Sequence, residues 1–486
     1  MKIHIEAFPP QPITNPTEAP TFKRGLFTPE NGHSAPQKIH VEGYGCSMNL
    51  AETEMVRGYA SANGFEFSSA EEADFMVINT CAVKEQTEFR MLNRIRKLNA
   101  IAEKKNSQLI VFGCLPKVSP ELIESVSGNI IAMGPDLEKL SQVLGITPEP
   151  FSPGIEQLRS NPFISIMPVA RGCTNYCTFC GTKLARGNIS SFPIDALRKR
   201  FEASLPHTKE FWLTGQDTGA YGLDIKSSLP ELVERFLEAE GDFRLRIGMM
   251  NPHHLKRIYD SLVPLFSDER VYKFLHVPLQ SGSDRILKLM RRGYTSSQYS
   301  GLVESLRRDV PGISIATDII AGFPAETEEE FLETVKIVKE SKPDIVNISR
   351  FGARPGTIAA GMRGQLHGRV KKMRSRSLTN ICRAISFRQN RAMLGKKEKI
   401  FVSEAGVKGG FVGRTSNYKP VVVNEDLRGG FAEVLITGAF PSYLEGKILN
   451  RGVPGSVETG SVSVRKAVPA PERFGAQLLK VRGFSG

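Results

Sequence analysis

Between residues 38 and 114 one pattern of apolar and polar positions occurs three times: a short apolar run that ends on a cysteine, followed by a stretch with helical spacing. The runs are IHVEGYGC, DFMVINTC and QLIVFGC, and they close on Cys46, Cys81 and Cys114. Strands alternating with helices predict a parallel α/β sheet, whose ligands gather beyond the carboxyl ends of the strands. Three cysteines in that shared register are expected to converge on one site. A single cysteine in such a run would more often be a small buried apolar residue.

A second series follows a segment punctuated by Pro148, Pro150, Pro153 and Pro162, which reads as a linker. Its strand candidates are FISIMPVA, EFWLTG, RLRIGMM, FLHVPLQ, ISIATDIIAG and IVNISRFGA, with helical patterns between most of them. Six such units predict a partial or full (β/α) barrel with its chemistry at the C-terminal face. After Gly368 comes a basic helical stretch, RVKKMRSRSLTNICRAISFRQNRAMLGKK. Short β runs then fill Lys399 to Arg451, broken by Gly, Asn and Pro, the pattern of a small antiparallel barrel. The expected organisation is a flexible leader (1–36), an N-terminal parallel α/β domain (37–147), a central barrel domain (160–390), a C-terminal β-barrel (393–453) and a tail (454–486).

Charge sharpens this picture. The chain carries 64 Lys and Arg against 51 Asp and Glu, but residues 350–486 alone hold 25 against 8. Basic charge confined to the last third predicts a polyanion-binding surface, nucleic acid ahead of anionic lipid. The proline-rich first residues lack the apolar stretch of a signal peptide, and no run of 18 uninterrupted apolar residues predicts a membrane span. A cytoplasmic protein with no membrane partner is expected, in a compartment that keeps the seven cysteines reduced. Clustered thiols then point to metal or catalysis.

The run RGCTNYCTFCGTKLARG sets Cys173, Cys177 and Cys180 at C-x3-C-x2-C directly after a strand. Structural zinc takes four protein ligands, and no fourth Cys or His stands nearby. Three thiolates on a 4Fe–4S cluster leave one iron open, free to chelate the amino and carboxylate groups of S-adenosylmethionine and to promote its one-electron cleavage to a carbon radical. Zinc binding or a C-x-x-C redox pair are the alternatives for this run.

With Phe179 beside the last cysteine and barrel units downstream, the run resembles the radical S-adenosylmethionine superfamily, and more closely its methylthiotransferase family. GYGCSMNLAETE, INTCAVKEQTE and VFGCLPK resemble that family's three N-terminal cysteine motifs, and HVPLQSGSDRILKLMRRGYT resembles a signature of its barrel. The resemblance covers roughly residues 38 to 452. It implies a second 4Fe–4S cluster on Cys46, Cys81 and Cys114 that carries sulfur, and a C-terminal RNA-binding TRAM domain. It implies S-adenosylmethionine contacts at Gly215, Gln216 and Asp217 (amino group), at Gln280 and Ser281 (ribose and carboxylate) and at Arg292 (carboxylate). The basic helix around Lys371, Lys372, Arg374 and Arg376 is expected to assist RNA binding.

Family branches modify a tRNA nucleoside beside the anticodon or an aspartate of a ribosomal protein. The stretches LARGNISSFP and FWLTGQDTGAYGLDI resemble the archaeal and eukaryotic type acting on threonylcarbamoyladenosine at tRNA position 37, rather than on isopentenyladenosine. Implied partners are tRNA, an electron donor such as ferredoxin or flavodoxin, and a sulfur donor. A cluster-bearing RNA-binding protein without catalysis is the reading from another class. Cys382 is expected to be an ordinary buried thiol, and His253 and His254 to be core or loop residues rather than substrate contacts.

Overall fold

The computed structural model describes residues 36–82, 85–146 and 158–451; the leader, most of the linker and the tail lie outside the described residues. The N-terminal domain is a five-stranded parallel sheet with Lys38–Gly43, Phe75–Thr80 and Gln108–Gly113 adjacent in space, flanked by Glu66–Phe67 and Ile131–Met133. Met76, Ile78, Leu109 and Val111 pack into one apolar cluster, and Val77, Ile110 and Phe112 into another. Both faces of the sheet are therefore covered, which is why its strands read as continuous apolar runs.

The central domain supplies six parallel strands: Ile164–Pro168, Glu210–Thr214, Arg244–Arg246, Phe274–His276, Ser314–Ala321 and Ile345–Arg350. Two three-stranded sheets are joined by a parallel bridge between Leu245 and Val271, giving the open (β/α) barrel expected. The helix Ser47–Ala62 of the N-terminal domain is the seam between the two. Its Ala51 packs with Ile164 and Ile166 of the first barrel strand, and its polar residues Asn49, Glu52, Thr53 and Glu54 are buried.

One of these carries a pH signature. Burial pushes the Glu54 carboxyl from 4.5 up to about 7, against the hydrogen bond from the Ser160 amide and the charges of Arg200, Arg57 and Arg159. Its second oxygen has no partner. The folded chain thus binds a proton that the unfolded chain releases above pH 4.5. Stability from this group is fully present below that value and is lost as pH rises through about 7. Glu54→Gln keeps the acceptor without the titration. Its melting temperature is expected to draw ahead of the parent's between pH 5 and pH 8, for a difference on the order of 3 kcal/mol. A constant offset across that range would contradict this.

The helix Gly368–Arg391 packs Leu378 and Cys382 against Ile319, Phe331 and Val338. Cys382 is a buried thiol, pushed up to about 12 by burial. The helix leads into a closed barrel of Lys397–Ala405, Phe411–Arg414, Pro420–Val423, Leu444–Arg451 and Phe431–Ala439, in that spatial order. Ala432, Val434 and Ile436 point inward at every second position. The small antiparallel barrel expected is closed by one parallel pair, Pro420–Val423 with Leu444–Arg451. Five strands in a closed ring cannot alternate all the way round, so one pair must run parallel.

This barrel docks at the amino ends of the central strands. Lys273 N donates to Ser416 O at 2.9 Å, Tyr418 packs on Tyr272 and Phe274, and Asn417 Nδ2 donates to Gly312 O at 3.2 Å. The carboxyl ends, where barrel chemistry sits, face the other way.

Candidate active site

The first three cysteines meet because three adjacent strands end in register. Tyr44 N donates to Asn79 O and Cys114 N to Thr80 O, both at 3.0 Å, which ties the turns after the strands to one another. Two glycines allow this crowding. A Cβ on Gly45 (φ +123°) would lie 2.6 Å from the Cys81 Cβ, and one on Gly113 (φ +110°) would lie 2.5 Å from Asn79 Oδ1. Cys81 and Cys114 are buried and Cys46 is exposed. Asn49 braces the arrangement: its Nδ2 donates to Tyr44 O and Thr80 O, and its Oδ1 faces the Cys46 thiol at 3.5 Å. Burial pushes the Cys114 thiol up to about 11, partly offset by Arg186.

The second three lie on a loop after Ile164–Pro168. Gly172 (φ +70°) makes the entry turn, since any Cβ there would sit 1.9 Å from Asn188 O. Thr178 N and Oγ1 bind Met290 O and Leu289 O, and Ala359 N binds Thr178 O, so the loop is held from two neighbouring barrel elements. Asn175 donates from its backbone and side-chain nitrogens to the Cys173 Sγ, both at 3.4 Å, and Arg292 donates to the Cys177 Sγ at 3.1 Å. Burial pushes Cys173 up to about 11 and raises Cys180 as well. Loading either set with metal therefore displaces protons. Among the described residues no three His, Cys, Asp or Glu side chains close on one point as a single metal ion would need.

The turn after Glu210–Thr214 faces this loop. Gln216 Oε1 is buried with no hydrogen-bond partner, and so is Gln280 Oε1, whose residue is held at φ +67°. Each is a buried acceptor that a bound donor would satisfy. Asp217 is already engaged: Asn175 Nδ2, Asn251 N and His254 Nδ1 bind its carboxylate at 2.8, 3.1 and 2.7 Å. It orients Asn175 on the Cys173 thiol, and His254 is a core residue serving it. Ser281 is not brought to the site: its hydroxyl lies 3.4 Å from Thr334 on the helix Glu328–Ser341 and accepts from Ser283 N. Arg292, expected at the carboxylate of S-adenosylmethionine, spans Cys177 and Tyr294, 3.1 Å from each. His276 and Asp318, 2.7 Å apart on neighbouring strands, were missed. Ile319 packs outward among helix residues, so Asp318 beside it faces the barrel interior. A charged residue inside the run ISIATDIIAG was the available signal.

Three bridges hold the two cysteine sets across the seam. The Ser47 hydroxyl, next to Cys46, meets the Thr214 hydroxyl, next to Gly215, at 2.6 Å. Arg186 pairs with Glu52, and Arg354 with Glu88, both buried. The basic helix differs from expectation. Arg374 is buried in ion pairs with Glu326 and Glu328, and Lys371 caps Phe351 O, which leaves Lys372 and Arg376 exposed. Half of that patch is therefore committed within the fold.

Comparison with known proteins divides the chain the same way. Residues 38–133 match the family described as uncharacterized protein family UPF0004, residues 167–338 the radical SAM superfamily, and residues 391–449 the TRAM domain. A probable threonylcarbamoyladenosine tRNA methylthiotransferase of Pyrococcus horikoshii is 38% identical over 428 residues, 85% of this chain and 99% of that protein. One from Archaeoglobus fulgidus is 39% identical, covering 85% and 98%. The human threonylcarbamoyladenosine tRNA methylthiotransferase is 35% identical, covering 88% of this chain and 76% of its own. Among solved structures, the radical S-adenosylmethionine methyltransferase TsrM of Kitasatospora setae superposes with a TM-score of 0.51 over 67% of this chain and 77% of that one. At 14% identity this likeness concerns the fold alone.

Proposed function

The chain belongs to the threonylcarbamoyladenosine tRNA methylthiotransferases, and from that premise we propose that it converts N6-threonylcarbamoyladenosine at tRNA position 37 to its 2-methylthio derivative. It is a transferase of the radical S-adenosylmethionine class, and its cofactors are two 4Fe–4S clusters and S-adenosylmethionine. The residues present fit these groups. Each cysteine set offers three thiolates, which leaves one iron of a four-iron cluster open, and Gln216 and Gln280 offer acceptors that lack donors. When bound, the cofactors supply a sulfur atom, a methyl group and a carbon radical able to remove the hydrogen that the methylthio group replaces.

The protein's part is placement. Cys173, Cys177 and Cys180 hold the radical-forming cluster, with Asn175 and Arg292 donating to its ligand sulfurs and Asp217 fixing Asn175. Gly215, Gln216 and Gln280 line the side that receives S-adenosylmethionine. Cys46, Cys81 and Cys114 hold the sulfur-carrying cluster. The Ser47–Thr214, Glu52–Arg186 and Glu88–Arg354 bridges set the spacing between the two, and this pairing of two three-thiol sets across one seam is the observation that carries the reading. Electron delivery by a ferredoxin or flavodoxin, a separate sulfur donor and a cytoplasmic location belong to the proposal. Among the described residues no helix is long and apolar enough to cross a membrane. Comparing tRNA nucleosides by mass spectrometry from cells with and without the gene tests the reading. The 2-methylthio nucleoside should vanish without it and return with the intact gene, and persistence in the deletion strain would refute the assignment.

The TRAM barrel takes the RNA. Lys397 and Lys447 both pair in register with Leu435, which sets two exposed cations in one row across three strands of its outer face. The C-terminal barrel docks at the amino ends of the central strands and the cysteine loop follows a carboxyl end, so at least the length of a central strand, about 20 Å for six residues, lies between them. A folded stem-loop bridges it and a free nucleoside does not. Lys397→Gln with Lys447→Gln is expected to reduce the slope of log affinity against log salt by about 0.7 to 0.9 for each phosphate the two lysines neutralise. An unchanged slope would place the RNA on another surface.

A further inference from the structure

Arg186 belongs by sequence to the Cys173–Cys180 segment and by contact to the other cysteine set. It ends the helix Gly181–Arg186, six residues past Cys180, yet its guanidinium lies in the N-terminal domain. There NH1 and NH2 grip Glu52 Oε1 and Oε2 at 2.6 and 2.8 Å, with both side chains almost fully buried. NH2 also donates to Asn49 Oδ1 at 3.0 Å, the same oxygen that faces the Cys46 thiol. Its Nε is buried without a partner, and the neighbouring Ala185 shares an apolar cluster with Cys114 and Val118. The charge of the guanidinium favours the Cys114 thiolate against its burial. Burial opposes its own charge, and Glu52 with the Cys114 and Cys46 thiols more than offsets that.

A buried ion pair adds little net stability over an apolar contact of the same shape, so domain docking alone does not call for this arrangement. A cation with an unused donor beside two cluster thiols has another consequence. Cluster potentials follow net charge and hydrogen bonds to the sulfurs. Reduction adds an electron, and a nearby positive charge stabilises the reduced state.

We propose that Arg186 is a positioning residue for the cluster on Cys46, Cys81 and Cys114: it raises that cluster's reduction potential and, being covalently continuous with Cys173–Cys180, fixes its distance from the radical-forming site. The inference rests on the reading of Cys46, Cys81 and Cys114 as cluster ligands. Glu52 is then its counter-charge, which limits how far the potential rises.

The test uses the full chain with Cys173, Cys177 and Cys180 replaced by Ala, reconstituted anaerobically, so that one cluster reports. Arg186→Gln alone leaves Glu52 a buried carboxylate with no cation and is expected to misfold, whereas in Glu52→Gln the guanidinium keeps the Asn49 Oδ1 and the new amide oxygen as acceptors. The informative variants are therefore Glu52→Gln and the double variant Glu52→Gln with Arg186→Gln, which is neutral at both positions. Iron content of about four per chain and an EPR-monitored redox titration are read for each. Glu52→Gln should shift the midpoint potential upward, and adding Arg186→Gln should bring it below the Glu52→Gln value, with iron content unchanged. Identical potentials in all three at equal iron content would overturn the role of Arg186 while sparing the cluster reading. A parent that binds no iron would overturn the cluster reading and the inference with it. If the double variant fails to fold, Glu52→Gln with Arg186→Met removes the same charge with an apolar side chain and is expected to show the same order of potentials.

Discussion

Replacing Cys173, Cys177 and Cys180 together by Ala is expected to bring reductive cleavage of S-adenosylmethionine to background, whereas replacing Cys46, Cys81 and Cys114 should leave cleavage intact and abolish only the methylthio product. The asymmetry follows from the geometry. Asn175 and Arg292 donate to the sulfurs of the second set, and Asp217 beside Gln216 holds Asn175, so removing the first set takes nothing from the cleavage site itself. Each Cys→Ala change removes about one methylene equivalent, about 1 kcal/mol at the buried positions and less at the exposed Cys46. Thermal melts of both triple variants should therefore still show a folded chain. Release of 5′-deoxyadenosine is the readout for cleavage, and nucleoside mass spectrometry the readout for product. Full product from the Cys46, Cys81 and Cys114 variant would contradict the sulfur-carrier role, and full cleavage by the other would contradict the division between the sites.

Much of this arrangement was legible because the signals were local. A cysteine that closes an apolar run marks a strand end whether or not the neighbouring strand is known, and three of them in one parallel sheet must share an edge. The C-x3-C-x2-C loop, the six barrel strands and the short β runs between Lys399 and Arg451 were visible for the same reason. What escaped depends on partners far along the chain. The helix Ser47–Ala62 reads as amphipathic, but its Glu52 is buried because Arg186 arrives from 134 positions away, and its Glu54 because Ser160 arrives from 106. The charge tally of the last third counted Arg374 toward RNA, although Glu326 and Glu328 neutralise it inside the fold. Composition records charge and not its counter-charge. Ser281 sits in the right motif, but the chain reverses at Gln280 (φ +67°) and hands the serine to Thr334. No sequence pattern announces that the RNA-binding barrel docks on the amino ends of the central strands, since that placement rests on Tyr418 slotting between Tyr272 and Phe274.

The largest discrimination expected is between nucleosides. The barrel interior is polar, since His276 and Asp318 face it. A threonylcarbamoyl group brings a hydroxyl, a carboxylate and amide donors to such a surface. An isopentenyl chain brings none, and leaves the polar groups desolvated and unpaired. Sites built to hydrogen-bond a substrate reject an analogue lacking those groups by roughly 10⁴-fold. The opposite error, an apolar pocket admitting a polar group, discriminates far less. The direction of the preference is therefore as informative as its size.

The measurement that tests the central claim most directly presents the reconstituted enzyme, with S-adenosylmethionine and a reductant, with three otherwise identical anticodon stem-loops carrying threonylcarbamoyladenosine, isopentenyladenosine or unmodified adenosine at position 37. The account predicts methylthiolation of the first and none detectable of the other two. Equal turnover of the isopentenyl stem-loop would contradict it.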